Sequence, residues 1–187
     1  MEEEDRDFGD REDRTEPGSD PLDGPFLLDA MCGTLATYLR MCGYDAAYAL
    51  DRDAEADDRL LDLAAAEDRT LVTRDRQLVE RAEARGLDAV LLTERDVLDQ
   101  LRELRAAGVR IDLPETPTRC GRCNGRLEPV PADADLPDYV PDEVASSGEK
   151  SSGETGEPQT VRRCVDCGRW FWKGSHWDDV AARLAEL

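Results

Sequence analysis

The chain has almost no histidine; His176 is the only one. Imidazole-based acid–base chemistry is therefore excluded from most of its length, and with it any Ser-His-Asp or Cys-His arrangement there. Lysine is nearly absent too, at Lys150 and Lys173 only, so arginine carries almost all the positive charge. Long apolar runs are missing: no stretch approaches the ~18 residues a membrane-spanning helix needs. The opening MEEEDRD lacks the basic and apolar regions of a secretory leader. The expectation is a cytoplasmic protein in a reducing compartment, where thiols stay free or hold metal.

Acid is abundant. Asp and Glu number 44 against 24 Lys and Arg, a formal charge of −20. Together with many small Ala side chains and the scarcity of lysine, this reads as a halophilic protein kept soluble by hydrated carboxylates. Concentrated salt screens charge within a few ångströms, so the acidity does not exclude a polyanionic partner.

The acid is unevenly spread. Residues 1–24 hold eleven acids and little apolar surface, so they are expected to be a disordered tail. From Phe26 the pattern alternates. FLLD (26–29), DAAYAL (45–50), TLVT (70–73) and DAVLL (88–92) read as strands. Between them lie helical spacings: CGTLATYLRMCG (32–43), ADDRLLDLAAAEDR (56–69), RDRQLVERAEARG (74–86), and a fourth running to about Ala107. Strands alternating with helices predict an α/β fold with a mainly parallel sheet over 25–113. IDLPETPT (111–118) reads as a linker. Residues 118–187 form a second, smaller module, interrupted at 128–158 by nine acids, five prolines and Ser-Gly steps, an expected mobile loop.

That module carries the strongest motif, RCGRC with Cys120 and Cys123, then RCVDC with Cys164 and Cys167. Two CxxC pairs on Gly-containing turns predict a four-thiolate zinc site, in which Zn2+ replaces the core so short a module lacks. A redox dithiol at CGRC is the weaker alternative, because that motif follows PETPTR rather than a strand. Around the cysteines, Arg119, Arg122, Arg126, Arg162, Arg163, Arg169 and Lys173 face one acid, Asp166. Trp170, Phe171, Trp172 and Trp177 could stack unpaired bases or simply pack the small ribbon. Cys32 and Cys42 read as small core residues.

In an open parallel sheet, ligands bind beyond the carboxyl ends of the strands where strand order reverses. Asp29 ends the first strand, Asp75 follows the third, and Asp57 or Asp58 opens the helix between them. Asp96 follows the fourth strand. Carboxylates gathered there would hold Mg2+ or Mn2+, and could activate water against a phosphodiester. Thr34 and Gly33 could approach a phosphate. Each acid has a plainer reading as a surface charge or helix cap, since 20 of the 92 residues from 26 to 117 are acidic.

Three segments in order, FLLDAMCGTLATYLRMCGYDAAY, DDRLLDLAAAEDRTLVTRD and RCGRCNGRLEPV…RRCVDCGRWFWKGSHW, together resemble the PIN-like RNase domain of the Mut-seven C-terminal type with its appended zinc ribbon. The resemblance runs from Phe26 to the C-terminus. It implies a PIN-like three-layer α/β/α sandwich and metal-dependent cleavage of RNA. It places Asp29, Asp57 (with Asp58 adjacent), Asp75 and Asp96 at acidic catalytic positions, and Cys120, Cys123, Cys164 and Cys167 at the ribbon ligands. Arg163, Arg169, Trp170 and Lys173 are the expected RNA contacts. Thr34 departs from the family, which usually has a basic residue there. The competing reading is a non-catalytic RNA- or ribosome-binding zinc ribbon protein; protein partners are not indicated.

Overall fold

The computed structural model describes residues 22–131, 134–141, 144 and 161–187. The expected acidic tail lies outside them except for its last three residues, and the first of these, Leu22, packs against the core.

Four strands form one parallel sheet in the order β2-β1-β3-β4: β1 (Phe26–Leu28), β2 (Ala46–Tyr48), β3 (Thr70–Thr73) and β4 (Ala89–Leu91). Successive side chains on a strand face opposite ways, and the two apolar clusters follow that alternation. Phe26, Leu28 and Val72 bury against α1 (Gly33–Met41) and α4 (Val97–Ala106). Leu27 and Leu71 bury on the other face against α2 (Asp57–Glu67) and α3 (Arg76–Ala84). This is the three-layer α/β/α sandwich. Each fully buried leucine contributes roughly 1.5–3 kcal/mol of transfer free energy, so two continuous layers hold the sheet.

Local chemistry sets the ends of these elements. Asp75 and Asp96 cap α3 and α4, their side chains accepting from Leu78 and Leu98 N–H groups respectively. Helix α1 buries Leu35, Ala36 and Leu39 on one face, and stops where Gly43 takes φ +93°.

The second module is a three-stranded antiparallel sheet, β5 (Leu127–Pro129), β6 (Arg162–Cys164) and β7 (Trp170–Phe171), followed by α5 (Ser175–Leu184). Three packing relationships bear on the bounds of this module. The stretch 111–118 has no regular structure, but it is fixed: Ile111 is buried and Leu113 packs beside it. Helix α5 does not stay with the ribbon. Its Val180 and Leu184, one turn apart, enter the same cluster as α1 and α4, while Arg183 donates to Tyr38 Oη. And the described part of 128–158 is packed rather than free. Val130, Leu136, Val140 and Val144 gather with Val161 against Trp170 and Trp172. Apolar side chains scattered among the acids found the aromatic face of the ribbon to cover. The other residues of that stretch lie outside the described ones.

Candidate active site and metal centre

The two zinc knuckles are one turn used twice. Asn124 N–H donates to Cys120 O at 2.9 Å, and Gly168 N–H to Cys164 O at 3.0 Å. The residue after each second cysteine is left-handed, Asn124 at φ 68° and Gly168 at φ 71°. Cys120 and Cys164 N–H groups then close the turns on Gly125 O and Arg169 O, each at 2.8 Å. Gly125 must be bare, because a Cβ there would lie 2.7 Å from Cys164 Sγ.

The turns aim four sulfurs at one point. Cys120 Sγ lies 3.7 Å from Cys167 Sγ, Cys123 Sγ lies 3.5 Å from Cys164 Sγ, and all four lie within 4.8 Å of one another. Sulfurs at about 2.3 Å from a tetrahedral zinc are separated by about 3.8 Å, so the cradle fits that ion. The four thiols are free rather than bridged, and the convergence of all four on one point, rather than two, is what a metal centre needs and a dithiol pair does not. Burial pushes the Cys120 and Cys123 thiols up, whereas Cys167, although burial opposes it, is brought down to about 7 by the Arg169 N–H and the neighbouring thiols. Four thiolates close the coordination shell, so the centre is structural.

The ribbon is fastened to the sandwich by a buried arginine. Arg40, 3% exposed, donates from Nε to Ala46 O at 2.8 Å and from one terminal nitrogen to Arg122 O at 2.7 Å and Gly121 O at 3.3 Å. Beside it, Asp45 accepts from Asn124 Nδ2 at 2.7 Å and pairs with Arg69 and Arg119. Burial alone would raise the Asp45 carboxyl, but the Arg69 and Asn124 hydrogen bonds outweigh it and hold it below its ordinary value. The first knuckle is thus held in place from the α/β side.

Order in the large sheet reverses between β1 and β3, and there Asp29 and Asp75 meet through a third residue. Asp29 is 9% exposed. Its Oδ1 accepts from Ala30 N–H at 2.6 Å, and its Oδ2 accepts from Thr73 Oγ1 at 2.7 Å. The same Thr73 oxygen accepts from Asp75 N–H at 3.0 Å. Asp75 Oδ1 takes the Gln77 and Leu78 N–H groups, which leaves its other oxygen without a partner among the described residues. Cys32, one turn past Asp29, is pushed up to about 11 by burial and by the Asp29 charge, against Arg74. Cys42 goes to about 12, chiefly by burial. Both stay neutral thiols, in keeping with packing.

The other two acids have different company. Asp57 pairs with Arg81 at 2.6 Å, and Asp58 with Arg81 and Arg85. The expected convergence of Asp29, Asp57 and Asp75 is therefore not reached: among the described residues the four cysteines are the group of three or more ligating side chains close enough to share an ion. Opposed charges between α2 and α3 hold Asp57 instead. Asp96 caps α4 and lines a separate cleft with Thr34 and Gly33.

On the ribbon, the Arg163 guanidinium sits 5.3 Å from the centre of the Trp170 ring. Both line a cleft of about 660 Å3, whose walls also include Glu128 and Asp135. Arg169 is exposed and Lys173 half-buried. Trp172, like Trp170, packs against the valine cluster, and it lies 6.5 Å from Tyr139.

Sequence reasoning missed Thr73, Arg40, Asp45 and Asn124. Thr73 was visible as a hydroxyl ending a buried strand two residues before Asp75. Arg40 was visible as the one charge inside the apolar run of α1. Asn124 had a signal as well, since Asn is among the few non-glycine residues enriched in the left-handed region.

No described helix is long and apolar enough to cross a membrane. Comparison with curated proteins and with solved structures returned no match. The family model described as Mut7-C RNAse domain matches residues 25–184, which takes in the sandwich, both knuckles and α5. With that span and this fold, the chain belongs to the Mut7-C RNAse domain family.

Proposed function

We propose that the protein is a Mg2+- or Mn2+-dependent ribonuclease in which Asp29 and Asp75 form the centre of the hydrolytic site and the zinc ribbon holds the substrate. The observation that carries this reading is the Asp29–Thr73–Asp75 linkage at the point where strand order reverses.

The donor set suits a hard divalent ion, which takes one or two carboxylates and fills the rest of its shell with water and phosphate oxygens. Asp29 and the free oxygen of Asp75 would hold it. When bound, the ion supplies Lewis acidity to a water and to the leaving oxygen. Thr73 keeps the Asp29 carboxylate oriented through a hydroxyl that is itself fixed by the Asp75 N–H. The dipole at the start of α3 favours the Asp75 charge. Asp57 and Asp96 complete the acidic set that the resemblance implies. For Asp57 to join, its carboxylate must exchange Arg81 for the site. Arg163, Arg169, Trp170 and Lys173 would bind the strand, with Trp170 offering a stacking face and the cations meeting phosphates.

The test is an RNA cleavage assay at high KCl with Mn2+ or Mg2+, comparing the wild type with Asp29→Asn and Asp75→Asn. Both variants should lose at least about 100-fold while binding RNA as before, the scale expected when a metal-assisted step is removed. Equal cleavage by all three proteins defeats the assignment; RNA binding untouched by EDTA with no cleavage at all favours the non-catalytic ribbon.

A further inference from the structure

Between the start of α1 and the start of α4 lies a cleft of about 420 Å3. Arg95, Thr34, Asp96, Tyr48, Gln100 and Met31 are among its walls. Two of these are already committed, and Asp96 has spent one of its two oxygens. Tyr48 Oη donates to Ala30 O at 2.7 Å, Gln100 Nε2 donates to Glu94 O at 3.0 Å, and Asp96 Oδ1 takes the Leu98 N–H at 2.9 Å. Thr34 and Arg95 are exposed, and neither side chain has a hydrogen bond or ion pair among the described residues.

An uncommitted guanidinium matters in a chain with 44 acids and 24 bases. Arg52, Arg69, Arg81, Arg85 and Arg102 all found carboxylates. Arg95, like Arg59, Arg74 and Arg76, has no carboxylate partner among the described residues; what sets it apart from these is that it lines this cleft. Helix α1 also begins without a side-chain cap, and its first two residues, Gly33 and Thr34, lie in the cleft wall. The three-residue turn Ala30–Cys32 separates this point from Asp29. At about 2 Å of rise per residue, the turn spans roughly 6 Å, about one nucleotide step of an extended strand.

We propose that this cleft is a phosphate subsite of an RNA strand, where Arg95 and the Thr34 hydroxyl bind the phosphodiester next to the one cut at Asp29. The proposal rests on the ribonuclease reading above and assigns it a residue between β4 and α4 that no acid-based argument would find. Arginine suits the role because its planar fork meets two phosphate oxygens at once.

The experiment uses the full-length protein and a short single-stranded RNA, with binding measured on the Asp29→Asn background across KCl concentrations. Arg95→Ala should weaken binding several-fold and lower the slope of log K against log salt by roughly 0.7, the value for one phosphate contact on a single strand. Arg95→Lys should restore the slope but not the full affinity. Arg59→Ala, which removes an exposed charge on α2 that is outside the cleft and has no ion pair among the described residues, is the control and should leave the slope unchanged. In the cleavage-competent protein, Arg95→Ala and Thr34→Ala should raise KM with kcat nearly kept. An unchanged salt slope and KM in Arg95→Ala overturn the subsite even if Asp29→Asn abolishes cleavage. A lowered slope in a protein that cuts no RNA supports the subsite and overturns the ribonuclease reading. A wild type that neither binds nor cuts RNA overturns both.

Discussion

Thr73 Oγ1 donates to Asp29 Oδ2 at 2.7 Å; Thr73 ends β3 and Asp29 directly follows the neighbouring β1 at the reversal of the sheet. Thr73→Val keeps the shape and removes the hydroxyl. A nearly buried carboxylate then loses a donor, which costs about 1–3 kcal/mol. Activity in Mn2+ should fall about 10–100-fold, as for other partners that orient a metal ligand. Thr73→Ser should retain most of it. Thermal melts and Mn2+ titrations of cleavage separate the two effects.

Arg81 competes for Asp57. If Asp57 serves the hydrolytic site, Arg81→Ala should lower the Mn2+ concentration for half-maximal cleavage several-fold, with a stability change under about 1 kcal/mol because the pair is exposed. An unchanged Mn2+ dependence in Arg81→Ala, with full activity in Asp57→Asn, would remove Asp57 from the site.

The thiol cradle predicts one zinc per chain by metal analysis. Cys164→Ser should lose it. Metal binding contributes folding free energy in ribbons of this size, so the variant should shift tryptophan fluorescence, because β7 carries Trp170 and Trp172 follows it. Chelation of the wild type should produce the same shift.

Asp45 gives a pH dependence with a definite sign. Its folded carboxyl lies below the ordinary 3.8, so the stability it lends is fully present above about pH 4 and is lost as the pH falls through the folded value. Asp45→Asn should therefore be less stable than the wild type at neutral pH, with the gap closing in acid. Denaturant unfolding at a series of pH values measures it; a gap that widens in acid contradicts the network.

Leu184 lies on α5 yet packs with α1 and α4. Leu184→Ala should cost about 2–3 kcal/mol, within the usual range for a buried leucine. The loss should appear in the unfolding of the sandwich, not of the ribbon alone.

The sandwich was legible in the sequence because the periods of two and of three to four residues alternate cleanly through Leu27, Leu35, Leu61 and Leu78. The zinc ligands were legible because two CxxC pairs on Gly-containing turns in one chain have few other uses. Less could be read of how the acids are spent. Asp57 and Asp75 both open helices, and only the fold reveals that one faces Arg81 and the other shares Thr73 with Asp29. The destination of the last helix was not legible for a related reason. Amphipathic spacing in Ser175–Leu184 says that a helix must bury one face, but not which module will receive it.

That last helix alters what it means to call the ribbon an appendage. The chain leaves the sandwich at Ile111, builds the zinc module, and comes back to finish the layer it left. Someone wishing to transplant the ribbon, or to express the sandwich alone, would find no place to cut. A chain shortened to end before Gly174 exposes the surface that Val180 and Leu184 cover, and a ribbon lifted out intact takes part of its neighbour's core with it.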